Sequence, residues 1–349
     1  MTAAAAAGPA GAAAAIVTVT LNAALDVTYR LDRLRVGETN RVASVRERAG
    51  GKGVNTARIL SALGRRTLVT GLVGGLTGRQ FRDDLERSSL PWLLTSVQGT
   101  TRRTVAVVAD PAASAACAAS DSGGDPAQGV TGLWEPGPQV SAEEWSRFAE
   151  RDFPAALAGA AVVVLSGSLP PGVPQDAYAI LLRQASRLGV PGILDADGAA
   201  LRIGLTGRPA LVKPNAEEAA RATGAADPAE AAARLCQEGA AAAIVTAGAD
   251  GLFGRTADGF AWHTPAPRRV QGNATGAGDA ATAALAAALA DGRPWPEAAA
   301  DAAALAAAAV AAPLAGDFDR ALYAELTSGR PAAAGAGTST TKSPSSEEN

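Results

Sequence analysis

Asn273-Ala274-Thr275-Gly276-Ala277-Gly278-Asp279-Ala280 runs straight into an alanine-rich, helix-forming stretch. Small residues let backbone come close to a ligand there, and a helix start offers unpaired N–H groups to an anion. A carboxylate at that point can accept a proton from a hydroxyl nucleophile. By themselves the same residues also suit a plain glycine turn in which Asp279 caps a helix. A second turn, Gly50-Gly51-Lys52-Gly53-Val54-Asn55, again leads into a helix-forming run. Its glycines suit close approach of backbone to a sugar, with Asn55 bonding hydroxyls. It is not a phosphate-binding P-loop, because the GxxxxGK[ST] spacing is missing.

The elements that must position these turns read as an alternation. Ile16–Leu21, Thr67–Leu72, Ala161–Leu165, Gly192–Asp195, Leu211–Lys213 and Ala243–Thr246 are short apolar runs. Val54–Leu63, Gln175–Leu188, Glu217–Thr223 and Ala229–Gly239 read as helices between them. Such alternation predicts a mostly parallel sheet covered on both faces, with ligand sites at the carboxyl ends of its strands. Asp26–Ala49 and Val97–Trp134 break the rhythm with polar-interrupted strands such as Thr104–Ala109 and Thr131–Trp134. These predict a small β-sheet lid, drawn from about 27–49 and 97–137, with low-complexity Asp110–Gly129 as its flexible tip. Residues 1–15 read as a disordered alanine-rich leader without the basic start of a secretory signal. Residues 332–349 read as a disordered tail, which leaves one domain over 16–331.

Composition narrows the chemistry. Hydrophobic residues make up 48% of the 349 residues, enough for a globular core, and much of that is alanine, which implies helices with small contact faces. A net charge of −3 argues against a nucleic-acid surface or a polybasic membrane patch. No stretch reads as a membrane span; Ala280–Ala290 is short and suits a buried helix. The single histidine, His263, disfavours Ser-His-Asp, Cys-His and multi-histidine zinc chemistry. Two cysteines, Cys117 and Cys236, cannot build a metal cluster and point to a reducing, cytoplasmic setting.

GGKGVN (50–55), SGSLPPG (166–172), KPNAEE (213–218), VTAGADG (245–251) and TGAGD (275–279) follow one another in this order. With them the chain resembles, from about Ile16 to Leu326, the carbohydrate kinase family that includes ribokinase, adenosine kinase and the minor phosphofructokinases. TLNAALD (20–26), Thr101-Arg102 and Glu135-Pro136-Gly137-Pro138 are similar to the branch holding 1-phosphofructokinase and tagatose-6-phosphate kinase. The resemblance implies a ribokinase-like α/β fold: a three-layer α/β/α domain with a mostly parallel central sheet and a small inserted β-sheet lid.

It also implies a division of labour. Asp279 matches the base that deprotonates the attacking sugar hydroxyl, and the N–H groups of Gly276, Ala277 and Gly278 match an anion hole for the transferred phosphoryl group. Asn215 and Glu218 match an N-x-x-E element that helps organise Mg²⁺ and phosphate through water, and Lys213 faces the nucleotide phosphates. Thr246, Gly248 and Gly251 match the loop along the ATP phosphates. Asp26, Gly50, Gly51 and Asn55 match residues that hold sugar hydroxyls, while Arg102 and Ser168 match contacts to the sugar phosphate.

Several of these positions have a second reading. Asp26 can simply cap a turn, and Arg102 has Arg103 beside it on a strand, where only one can face the site. Lys52 can point to solvent or to a phosphate. Glu217 competes with Glu218, and the N-x-x-E spacing selects Glu218. Asp195 and Asp197 are equally site-wall residues or turn formers. Asn22-Ala23-Ala24 replaces the Asn-Pro-Ala usual in the branch, Ala274-Thr275 replaces its Thr-Val, and the 110–129 insertion is atypical. These departures bear on the sugar rather than on kinase chemistry.

The expected activity is ATP-dependent phosphorylation of a ketohexose phosphate with Mg²⁺, first of all fructose 1-phosphate to fructose 1,6-bisphosphate. Tagatose 6-phosphate or fructose 6-phosphate comes second. Expected partners are the sugar phosphate and ATP, with no nucleic acid or membrane, and a homodimer formed through the lid. A sugar- or nucleotide-sensing protein without turnover is the rival from another class, and the intact Asp279 and glycines argue against it. A dinucleotide-dependent oxidoreductase lacks its GxGxxG after the first strand.

Overall fold

The computed structural model describes residues 14–109, 130–270, 272, 275–312 and 314–328. The expected leader up to residue 13, the 110–129 insertion with Cys117, the tail, and Asn273-Ala274 lie outside the described residues.

β1 (Ala15–Thr20) is an interior strand of the main sheet, and the chain then leaves it for β2 (Ala24–Leu31) and β3 (Ser44–Gly50) of a second, small sheet. β4 (Thr67–Gly74) and β5 (Trp92–Val97) return to the main sheet, and β6 (Arg102–Ala109) and β7 (Val130–Trp134) complete the small one. β8 (Ala160–Ser166), β9 (Gly192–Asp195), β10 (Leu211–Val212) and β11 (Ala242–Thr246) extend the main sheet on the other side of β1. β12 (Leu252–Thr256) and β13 (Ala261–Thr264) finish it. The nine-stranded order is β13-β12-β11-β10-β9-β8-β1-β4-β5, parallel except where β12 meets its two neighbours. The small sheet runs β3-β2-β6-β7, with β2 and β6 parallel and both outer pairs antiparallel.

Strand parity builds the layers, because successive side chains point to opposite faces. Val17, Val19, Val163, Leu165, Leu194, Val212 and Val245 enter one core, against helices such as Ala177–Arg187 and Pro228–Gln237. Ile16, Val162, Val164, Ile193, Leu211 and Ile244 enter the other, against helices Lys52–Ala62, Ala277–Ala290 and Trp295–Val310. The fold is therefore a three-layer α/β domain with a mostly parallel sheet, plus a small mixed sheet. Alanine does the packing on the second face: Ala277–Ala290 is buried from Asp279 to Ala288, and short side chains let it lie close to Trp295–Val310.

β5, β12 and β13 go beyond the apolar runs the sequence marks as strands. Trp92–Val97 is a half-buried edge strand, while β12 is interrupted by Gly254 and β13 is largely exposed, so neither carries an apolar run. His263 lies in β13, exposed, stacked on Phe253 and with Nε2 2.7 Å from the Asp250 carbonyl oxygen. Among the described residues no helix is long and apolar enough to cross a membrane.

Candidate active site

The carboxyl ends of the parallel strands collect the polar residues. Asn22 follows β1, Ser168 follows β8, Asp195 ends β9, Lys213 follows β10 and Thr246 ends β11. Helix Ala277–Ala290 points its start into the same edge. Gly276 caps it in the left-handed region at φ 92°, where a side chain is strained, and an added Cβ there would lie 3.0 Å from Ala315 Cα. The first helical hydrogen bond is Ala280 N–H to Gly276 O at 2.9 Å, so the N–H groups of Ala277, Gly278 and Asp279 have no partner within the helix.

Asp279 sits in that first turn, only 7% exposed, and accepts a 2.9 Å hydrogen bond from Asn55 Nδ2. Burial pushes its carboxyl up from 3.8 to about 7, and the charge of Asp195 adds to the rise; Asn55, Lys52 and Lys213 pull the other way. Asp195 is the counterpart. Burial would raise it too, but Lys213 and Lys52 hold it down at about 2, helped by hydrogen bonds from Thr282 and Lys52. Lys52 Nζ lies 3.0 Å from Asp195 Oδ1, Lys213 Nζ 3.4 Å from Oδ2, and Thr282 donates to Oδ2 at 2.8 Å. The attraction of Asp195 outweighs desolvation of Lys52 and raises its pKa further. Two nearby carboxyls thus differ: one is a fixed anion, the other is poised to exchange a proton near neutrality.

Lys52, its side chain 37% exposed, bridges Asp195 and, at 3.8 Å, Glu218 Oε1. The reason is the 195 carboxylate, which β9 delivers beneath the glycine turn. Asp197 goes elsewhere, capping helix Gly198–Gly204 and pairing with Arg221. Asn215 and Glu218 form a capping box on helix Ala216–Thr223: Glu218 N–H donates to Asn215 Oδ1 at 2.8 Å, and Asn215 N–H to Glu218 Oε2 at 2.9 Å. Glu217 is 84% exposed and faces Arg221. Asn215 bridges to Thr246, so the 213–218 and 246–251 segments lie side by side. Gly248 and Gly251 both have positive φ there, and a Cβ on Gly251 would meet Thr264 O at 2.1 Å.

On the small sheet, Asp26 pairs in register with Thr104 on one side and Arg48 on the other, and the Thr104 hydroxyl donates to its carboxylate. Burial raises the Asp26 pKa against the pull of Thr104, Arg102, Arg48 and Arg58. Gly50 is required here: a Cβ would stand 1.9 Å from Asp26 Oδ2. Gly51, at φ 101°, caps helix Lys52–Ala62 and carries Asn55 towards Asp279. A pocket of about 510 Å³ opens between this sheet face and the body, lined by Asp26, Arg46, Arg48, Thr104, Trp134 and Thr275 among others. Arg102 and Ser168 form a separate group through Asn22. Arg102 donates to the carbonyls of Asn22 (3.3 Å) and Glu135 (3.2 Å), and Asn22 Nδ2 donates to Ser168 Oγ at 3.0 Å. Arg103 and Arg41 are exposed.

Residues 19–115 and 127–320 match the pfkB family of carbohydrate kinases. The chain belongs to that family. Phosphofructokinase-2 of Escherichia coli, in complex with potassium, is similar at 25% identity and a TM-score of 0.78, over 90% of this chain and 99% of that one. A possible 1-phosphofructokinase of Thermotoga maritima is similar at 25% identity and 0.76, over 89% and 96%. A ribokinase of Arabidopsis thaliana shares the fold at 22% identity and 0.69, over 90% and 99%.

Within this pfkB chain, two site neighbours, Thr282 and Arg48, lie outside the motifs, and a third, Asn22, lies inside TLNAALD without a role assigned to it. Thr282, one turn after Asp279, is a helix residue like its neighbours until its hydroxyl is seen on Asp195. Asn22 carries a buried Oδ1 with no hydrogen-bond partner among the described residues and packs under Gly137. Arg48 is one of two arginines on β3, and no local pattern separates it from Arg46.

Proposed function

We propose that the chain transfers the γ-phosphate of ATP to a ketohexose phosphate, with fructose 1-phosphate as first choice and tagatose 6-phosphate or fructose 6-phosphate second. The observation that carries the reading is the buried Asp279 carboxyl, poised near neutrality in the first turn of a helix whose initial N–H groups are free of helical partners. In this reading the sugar hydroxyl gives its proton to Asp279 as its oxygen attacks the γ-phosphorus. The bond from that phosphorus to the β,γ-bridging oxygen breaks, and ADP leaves. The N–H groups of Gly276, Ala277 and Gly278 steady the charge on the phosphoryl oxygens. Asp26 and Asn55 hold sugar hydroxyls beside Gly50 and Gly51, while Thr246, Gly248, Gly251, Lys213 and Asn215 border the nucleotide.

Support for a phosphorylated acceptor is cationic. Arg46 lines the pocket with Asp26, and Arg102 stands beside Ser168 through Asn22. E. coli phosphofructokinase-2 has been crystallised with fructose 6-phosphate. Among the described residues no cluster of three His, Cys, Asp or Glu side chains is arranged to hold a metal. Mg²⁺ then fits best as an ion carried in by the nucleotide phosphates, with Glu218 reaching it through water. We place the reaction in the cytoplasm and a homodimer contact on the small sheet, where Val45, Leu133 and Trp134 are exposed.

An acceptor panel with ATP and Mg²⁺, scored by ADP release, tests the reading. Fructose 1-phosphate should lead, and Arg102→Ala should raise its KM at least tenfold, the loss of a charge-assisted contact worth about 1.5–3 kcal/mol. A free sugar as best acceptor, with Arg102→Ala silent, would remove the sugar-phosphate assignment. The pH profile is a second test. Because Asp279 must be ionised to accept a proton and its pKa is raised to about 7, kcat/KM should climb with pH along a limb centred near 7. A limb at ordinary carboxylate pH would mean that the titrating base is another group.

A further inference from the structure

We propose that Arg48 is a positioning residue: its grip on Asp317 straps the 314–317 turn onto both Gly276 and Asn55, and so ties the seat of the small sheet to the placement of Asp279. The inference rests on the kinase reading above.

Arg48 lies on β3, in register with Asp26. Its Nη1 donates to Ala315 O at 3.2 Å and Asp317 Oδ2 at 3.0 Å, and its Nη2 to Asp317 Oδ1 at 2.8 Å. A fork set on a carboxylate fixes orientation as well as distance. The far side of the same turn touches the catalytic machinery twice. Ala315 Cα is where a Cβ on Gly276 would collide, at 3.0 Å. Gly316 lies so close to Asn55 that an added Cβ would sit 3.1 Å from Asn55 Oδ1 and 3.2 Å from its Cα. Asn55 in turn holds the Asp279 carboxylate, and Gly276 accepts the first hydrogen bond of the Asp279 helix.

One short turn therefore presses on the cap of that helix and on the amide that orients its carboxylate, and a lid-sheet guanidinium clamps it from the other side. The pair is partly exposed, with side chains 22% and 43% accessible, so its worth to stability is small and its effect is geometric. Arg58 and Asp84 beneath it form their own ion pair, so Asp317 is the carboxylate that Arg48 holds.

Arg48 also lines the pocket, which gives a rival role as a direct ligand of the acceptor. The full-length variants Arg48→Gln, Arg48→Lys, Asp317→Asn and the Arg48→Gln/Asp317→Asn double variant separate the two. As a strap, Arg48→Gln and Asp317→Asn should each lower kcat about tenfold or more, since small misplacements at a reacting centre cost that much. KM for ATP and acceptor should stay within about threefold, and the double variant should be no worse than the poorer single one. Arg48→Lys, which keeps the charge and loses the fork, should fall between wild type and Arg48→Gln. If Arg48→Gln raises acceptor KM while Asp317→Asn does nothing, or if the two losses multiply, the strap is refuted. A readout without substrate keeps the test independent of the kinase reading. Amide hydrogens of residues 280–283, the first to be bonded within that helix, should exchange faster, by the same factor, in both single variants. Unchanged exchange overturns the proposal. Absence of turnover by wild type on every acceptor would overturn the proposed function instead, with the exchange result still deciding the strap.

Discussion

Replacing Asp279 by asparagine should lower kcat by about 10²–10⁴-fold while KM for ATP and for the sugar stays within a few fold, the size expected for a positioned general base. Asparagine keeps the shape and can still accept the Asn55 hydrogen bond, so binding geometry survives and only the proton acceptor is lost. The same variant carries a stability signature. The folded state holds the Asp279 proton up to about pH 7, whereas an ordinary aspartate releases it near 3.8. Between those values the folded chain binds more protons than the unfolded one, so this group's contribution to stability falls as pH rises. Asp279→Asn should match wild type at pH 4 and become progressively more stable than wild type towards pH 8, as read by chemical denaturation at both pH values. Near wild-type turnover would reduce Asp279 to a helix-start residue. A stability difference independent of pH would mean that its carboxyl is not held protonated by burial.

Replacing Asp195 by alanine should be the most damaging single change to stability, about 3–5 kcal/mol, because it leaves Lys52 and Lys213 charged next to each other without their anion. Lys213 is nearly inaccessible, so water cannot take over the role of the carboxylate. Asp195→Asn, which keeps the shape, should move the limb of the pH profile to lower pH. It removes a repulsive charge from Asp279 and frees both lysines to stabilise the Asp279 carboxylate. Urea denaturation at neutral pH checks the first result and kcat/KM against pH the second. A loss below 1 kcal/mol, or a limb moving upward, would show that Asp195 does not set the charge balance of the site.

Both results depend on a division of roles between two carboxyls that the fold brings together from β9 and from helix Ala277–Ala290. Asp195 is neutralised by cations and therefore stays ionised. Asp279 is buried as well, but it receives a smaller share of the same cations and the repulsion of Asp195, and therefore rises. The asymmetry follows from where the lysines stand, Lys52 at the start of helix Lys52–Ala62 and Lys213 just after β10, since both approach Asp195 directly.

Much of this protein was legible from local sequence. Apolar runs such as Ile16–Leu21 and Ala161–Leu165 announce the parallel strands because buried strands need continuous apolar side chains, and the glycine turns announce the helix starts because few other residues fit there. The Asn215–Glu218 capping box is also a local device, readable from its three-residue spacing. Through-space pairing is not local. Asp195 and Asp197 stand two positions apart and look alike, yet one ends β9 between Lys52 and Lys213 and the other caps the start of helix Gly198–Gly204. Lys52 carries no local sign of its partner, and only the fold places the β9 carboxylate 3.0 Å away. Arg48 and Asp317 are separated by most of the chain, and only the way the small sheet leans on the body brings fork and carboxylate together. Periodicity and turn chemistry are set by neighbours along the chain, so the sequence determined the elements and the loops that carry the candidate residues. Burial and electrostatic partnership are set by neighbours in space, so only the tertiary structure decided which carboxyl is a fixed anion and which can move a proton.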